Sequence, residues 1–231
     1  MTLPQLNAEQ LTGCSASHLV ELQPDFLLHP AVLPAWKALT AAARRDGIEL
    51  QPVSTFRSYQ QQARIWQQKC MGERPVYDRQ QQRVDVSHLA GWQKLEAILL
   101  YSALPGSSRH HWGTELDVID AAAARATNYQ PTLDPSEYQA GGIFELAGEW
   151  IRSEAKQFDF FLPYQHYRGG VAAEPWHLSY QPLAESCLAA YQLTDLAAAI
   201  QQHPIAEQAT VLQFLPAIFQ RYSLTICRPN S

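Results

Sequence analysis

The stretch Pro105-Gly106-Ser107-Ser108-Arg109-His110-His111-Trp112-Gly113-Thr114-Glu115-Leu116-Asp117-Val118-Ile119-Asp120 decides the fold. Pro105-Gly106-Ser107-Ser108 breaks the preceding pattern and opens a histidine-rich loop, and Thr114 to Asp120 then reads as a short strand. On a pleated strand, residues two apart share a face. Asp117 therefore points with Glu115 and Ile119, while Leu116 and Val118 point oppositely. An acidic side chain can face a site while its neighbours fill a core.

Upstream, Val32, Leu33, Trp36, Leu39 and Ala43 recur at helical spacing between Ala31 and Arg45, and Asp46-Gly47 stops that helix. Ile48 to Phe56 alternates as a strand. Ser58 can cap a helix running through Ala63, Ile65 and Trp66, which leaves Arg57 at a strand-to-helix junction, where substrate sites commonly lie. Asp78 to Arg83 reads as a solvated loop, and Leu89 to Leu104 as a helix. Downstream, Ala121 to Gln139 reads as an irregular insertion. Gly141-Gly142 precedes a helix expected to carry Ile143, Leu146, Ala147 and Trp150 on one face. Phe158 to Tyr164 and Trp176 to Tyr180 read as strands flanking the Tyr167-Arg168-Gly169-Gly170 turn. Pro182 to Tyr222 is mostly helical. Short strands interleaved with helices predict an α+β domain. The divisions expected are an N-terminal arm at 1–29, the catalytic domain at 30–182, and a C-terminal helical extension at 183–231 packed on the same domain.

A chain of 231 residues, 46% hydrophobic and 17% charged, has ample material for one core. Its 22 acidic residues outnumber 17 basic ones, and no basic stretch could neutralise a phosphate backbone, so nucleic acid is excluded as a partner. No run of about 18 apolar residues exists to span a membrane. Met1 to Ser17 lacks the apolar stretch of about 7 to 15 residues of a secretory signal. The sequence as it stands is thus expected in the cytoplasm, or in the periplasm or cell envelope if a signal has been removed. Cys14, Cys70, Cys187 and Cys227 are too far apart in sequence for a local zinc knuckle or redox motif and read as ordinary thiols.

The chemistry lies in two clusters, the histidine loop with its strand and Glu174-Pro175-Trp176-His177. Together they offer histidine and aspartate ligands and a spare carboxylate. A hydrolytic zinc site needs three protein ligands and an open position. His110 and His111 compete for one ligand place, with His166 a lesser rival to His177. Pro175 donates no ladder hydrogen bond and favours a strand beginning, so Glu174 would come from a loop and His177 from the strand. Trp112 and Trp176 read as walls.

Ser-x-His-x-x-Gly-x-x-x-Asp followed by Glu-Pro-Trp-His resembles the VanY-type D-alanyl-D-alanine carboxypeptidases, zinc enzymes of the LAS metallopeptidase group. Ser54-Thr55-Phe56-Arg57-Ser58-Tyr59-Gln60-Gln61-Gln62 is similar to a third segment of that family, in the right order, and the resemblance covers roughly 30–182. It implies a small, mainly antiparallel sheet flanked by helices, of the hedgehog and D-Ala-D-Ala-peptidase kind. It implies zinc, one per chain, on His110, Asp117 and His177; its spacing to Gly113 and Asp117 selects His110 over His111. It further implies Glu174 as catalytic base, Arg57 on the substrate carboxylate or oxyanion, and Ser108 and Gln62 holding the peptide. Thr55, Phe56 and Glu115 depart from the pattern. They bear on the substrate and not on the ligand positions.

The expected reaction is hydrolysis of peptidoglycan-derived stem peptides by a D-alanyl-D-alanine carboxypeptidase, since an arginine that binds a carboxylate favours a free chain terminus. Rivals are an LD-carboxypeptidase or an L-alanyl-D-glutamate endopeptidase, and, in another class, a zinc-bound interaction domain without catalysis. Glu174 argues against the last, because a structural zinc site needs no base.

Overall fold

The computed structural model describes residues 5–229. In chain order the elements are α1 (Ala8–Leu11), β1 (Val20–Gln23), β2 (Phe26–Leu28), α2 (Val32–Arg45), β3 (Leu50–Ser54), α3 (Tyr59–Cys70), β4 (Val76–Tyr77), β5 (Arg83–Val84) and α4 (Gly91–Leu99). They continue with β6 (Glu115–Asp120), α5 (Ala121–Thr127), α6 (Glu145–Glu154), β7 (Phe160–Phe161), β8 (His177–Tyr180), α7 (Gln181–Ala190), α8 (Leu193–Gln202) and α9 (Gln208–Ile218). The central sheet has the order β3-β6-β8-β7 with every pairing antiparallel, so the α+β class with a small antiparallel sheet holds.

Local chemistry explains most boundaries. Ser58 accepts from the Gln61 amide while the Gln61 side chain accepts from the Ser58 amide, a reciprocal cap that starts α3. Two apolar clusters are buried. One joins Leu116, Val118 and Leu178 of the sheet to Trp36 and Leu39 of α2 and to Ala147 and Ile151 of α6. The other joins Trp66 of α3 and Leu95 of α4 to Leu183, Leu196 and Val211 of the last three helices. Leu6 and Leu11 are buried in this second cluster, so the N-terminal arm contributes to the core. Among the described residues no helix is long and apolar enough to cross a membrane. The four cysteines are free.

Three local expectations are corrected. Of the loop expected over 78–83, residues 78–82 form the turn of a hairpin of β4 with β5, and Arg83 belongs to the second strand. The alanine run after Asp120 is the helix α5, because the Asp120 side chain accepts from the amides of Ala122 and Ala123 and supplies a start that the irregular reading overlooked. Leu146 is 72% exposed, and it is Ile151 that joins Ala147 and Trp150 on the buried face of α6.

Candidate active site

Cross-strand register builds the site. In the β6–β8 ladder Asp117 pairs with His177 and Glu115 with Ser179, so four polar side chains fall on one sheet face while Leu116 and Leu178 fill the core on the other. His110 arrives from the 3-10 turn Arg109–Trp112, which ends at Gly113 with φ 69°. A Cβ there would stand 3.0 Å from the His29 backbone nitrogen as well as against Leu19 Cδ2, and the left-handed φ favours glycine where the chain swings into β6. Glu174 lies in the loop before β8, its amide donating to Tyr164 O at 2.8 Å, as the reading of Pro175 anticipated.

The ligating atoms of His110, Asp117 and His177 all lie within 4.8 Å of one another, and all three residues are buried. Nδ1 of His110 donates to Thr55 O at 2.6 Å, which turns Nε2 toward Asp117 Oδ2, 3.2 Å away. Nδ1 of His177 stands 3.1 Å from Asp117 Oδ1, yet Oδ1 makes no aligned hydrogen bond with any described residue. A buried carboxylate oxygen close to, but not aligned with, imidazole nitrogens is the arrangement of groups that converge on a shared cation. The donor set of two imidazoles and one carboxylate suits zinc.

His111 stands outside this cluster. Its Nδ1 donates to Arg57 O at 2.5 Å and its Nε2 accepts from the Gly106 amide at 3.1 Å, so both nitrogens bracket the loop. Burial depresses its pKa to about 3 and keeps it neutral. His166 is exposed and away from the cluster.

The cluster lies in a cavity of about 610 Å³ that also takes in Arg57, Lys69, Ser108 and Glu174. Glu174 Oε2 is 3.5 Å from His177 Nδ1, and burial pushes its carboxyl up to about 7 against the pull of His177, Arg57 and Lys69. Arg57 Nη1 donates to Gln62 Oε1 at 2.9 Å and Nη2 to Ser54 Oγ at 3.0 Å, which brings Nη2 within 3.9 Å of Asp117 Oδ2. Ser108 is buried beside the cavity and makes no side-chain hydrogen bond with any described residue. Gln62 differs from its expected place on the peptide. Its Nε2 donates to Ala103 O at 2.6 Å while its Oε1 holds Arg57, so both ends of the amide are engaged within the protein. Trp176 is buried and lines the cavity, whereas Trp112 is buried in the core, its Nε1 donating to Leu11 O at 3.1 Å.

Sequence reasoning missed a buried polar network behind His177. Glu115 Oε2 lies 2.8 Å from His177 Nε2, and Glu115 Oε1 accepts from Thr114, Ser179 and Arg109 at 2.8, 2.8 and 3.1 Å. Arg109 also donates to Ser179 Oγ at 2.7 Å. These contacts hold the Glu115 carboxyl down at about 2 despite complete burial. Strand parity put Glu115 beside Asp117, but its partner across the ladder is set only by register.

The chain matches the family described as VanY, D-alanyl-D-alanine carboxypeptidase, over residues 25–183. An uncharacterized protein of Haemophilus influenzae is 40% identical over 104 residues, 43% of this chain and 71% of that protein. Among solved structures, VanYB in complex with D-Alanine-D-Alanine superposes with a TM-score of 0.53 at 18% identity, covering 86% of this chain and 91% of that one. A vancomycin resistance D,D-pentapeptidase VanY in complex with Zn(II) superposes at 0.52 and 18% identity, covering 85% and 92%. The family match takes in the fold's central sheet and every residue of the converged cluster, and the chain belongs to the VanY D-alanyl-D-alanine carboxypeptidase family.

Proposed function

We propose that this protein is a zinc-dependent D-alanyl-D-alanine carboxypeptidase acting on peptidoglycan-derived stem peptides, with one zinc per chain held by His110, Asp117 and His177. The observation that carries this reading is the Glu174 carboxylate 3.5 Å from His177 Nδ1, beside three converged ligands and inside a cavity large enough for a peptide end. A purely structural metal site would have no use for it. The VanY structures with D-Alanine-D-Alanine and with Zn(II) support the same substrate and metal here.

When bound, zinc would supply Lewis acidity, polarising the scissile carbonyl and bringing the pKa of a water toward about 7. Glu174 takes the proton of the attacking water and returns it to the leaving amine, a double duty suited to a carboxyl raised to about 7. Arg57 meets the oxyanion that develops on the carbonyl, its guanidinium held in advance by Gln62 and Ser54. Ser108, at the cavity wall, offers a hydroxyl to the peptide backbone.

Defined tri-, tetra- and pentapeptide stems, incubated with zinc-loaded protein and analysed by mass spectrometry, test the reading. Release of the terminal D-alanine from the pentapeptide is the expected result. Cleavage of the tetrapeptide alone would make it an LD-carboxypeptidase, and cleavage at the first stem bond an endopeptidase. Zinc-loaded protein that cleaves nothing would be a binding domain.

A further inference from the structure

Lys69 is 8% exposed, on the buried face of α3, and its ammonium makes no hydrogen bond or ion pair with any described residue. Burying a cation without a partner is costly. Lys94, also largely buried, meets the usual requirement with Glu207 at 2.9 Å. Lys69 instead lines the cavity that holds the metal cluster. Side chains on a helix lean toward its N-terminus, so Lys69 is directed back over the turn of Ile65 and toward the end where Gln62 holds Arg57.

On the reading proposed above, we infer that Lys69 receives the C-terminal carboxylate of the substrate, leaving Arg57 to the oxyanion. Arg57 is tethered against Asp117, within the ligand set, and so sits where the scissile carbonyl is attacked. Glu174 serves the scissile nitrogen, and the terminal carboxylate lies only two bonds beyond that nitrogen. The cation required there must neighbour Glu174. Lys69 lines the same cavity as Glu174, Arg57 and Arg74, and the charges of all three act on it. Burial together with Arg74 lowers its pKa to about 8, which leaves it mostly protonated at neutral pH. Arg74 is exposed at the cavity rim and adds to the same positive wall.

The test compares D-alanyl-D-alanine with its C-terminal amide, by calorimetric binding to zinc-loaded protein on a Glu174→Ala background that prevents turnover. With Lys69 present the free acid should bind about tenfold to hundredfold more tightly, the range of a charged hydrogen bond. Lys69→Met should bring acid and amide to equal affinity, and Lys69→Arg should restore the preference. The melting temperature of Lys69→Met should not fall, because an unpaired buried charge has been removed. Arg57→Gln, the control, should keep the preference for the acid. An acid preference that survives in Lys69→Met, or one lost in Arg57→Gln but not in Lys69→Met, would overturn the assignment, as would equal or absent binding of both ligands with Lys69 present. Failure of the hydrolytic reading is seen separately, as zinc-loaded wild-type protein that binds the dipeptide and cleaves no stem peptide.

Discussion

Nε2 of His177 lies 2.8 Å from Glu115 Oε2, while Nδ1 of the same ring faces Asp117 at 3.1 Å. A carboxylate behind a metal-directed imidazole accepts a hydrogen bond from Nε2–H, which fixes the tautomer and leaves the Nδ1 lone pair for the ion. Glu115→Gln should therefore weaken zinc binding about 10- to 100-fold, measured by competition with a chelating dye. Unaltered affinity would remove Glu115 from the metal's support. Glu115→Ala should also destabilise the fold by about 3 to 5 kcal/mol in urea titrations, because Arg109, whose side chain is 2% exposed, would be left charged and unpaired.

The ligand assignment predicts that metal analysis of purified protein finds about one zinc per chain and that His177→Ala loses it together with activity. Full occupancy in that variant would sink the assignment.

Glu174→Ala should keep the metal, because the three ligands stand without it, and lose about 10²- to 10⁴-fold in turnover. The two readouts separate base from ligand. Turnover equal to wild type would place the catalytic proton elsewhere.

Arg57→Ala should lower kcat by about 10²- to 10³-fold, the cost of losing an oxyanion donor. Gln62→Ala should lower it in the same direction but less, since Gln62 acts by holding the guanidinium at 2.9 Å. Steady-state kinetics decide this. A Gln62 variant changed only in KM would return Gln62 to direct contact with the peptide.

His111 predicts an acid sensitivity of the fold. Its pKa falls from an ordinary 6.5 to about 3 on folding, chiefly through burial. Above pH 6.5 it is neutral in both states and adds no pH dependence. As pH falls from 6.5 toward 3 the unfolded chain takes up a proton that the folded chain refuses, so stability declines by up to about 1.4 kcal/mol per pH unit from this group. Urea unfolding between pH 4 and 7 should show a shallower slope in His111→Gln than in wild type. Equal slopes would assign the acid sensitivity to other groups.

Much of this was legible because it is written in local chemistry. The Ser58 cap, the α2 stripe of Trp36 and Leu39, and the placing of Glu174 before a strand opened by Pro175 each depend on residues within a few positions of one another. The motif spacing likewise chose His110, whose ring stands with Asp117 and His177, while both nitrogens of His111 are engaged elsewhere.

What sequence by itself determined about this protein was therefore the inventory of chemistry and the α+β class: which residues could bind a metal, which carboxylate was left over, and which face of each strand would carry them. The tertiary structure alone decided partners distant in the chain. Register set Asp117 opposite His177 and Glu115 opposite Ser179; packing turned Gln62 into a brace for Arg57 and left Lys69 unpaired at the cavity. The physical reason is that periodicity fixes the direction of a side chain relative to its own element, whereas hydrogen-bond partners and burial depend on how elements far apart in sequence meet.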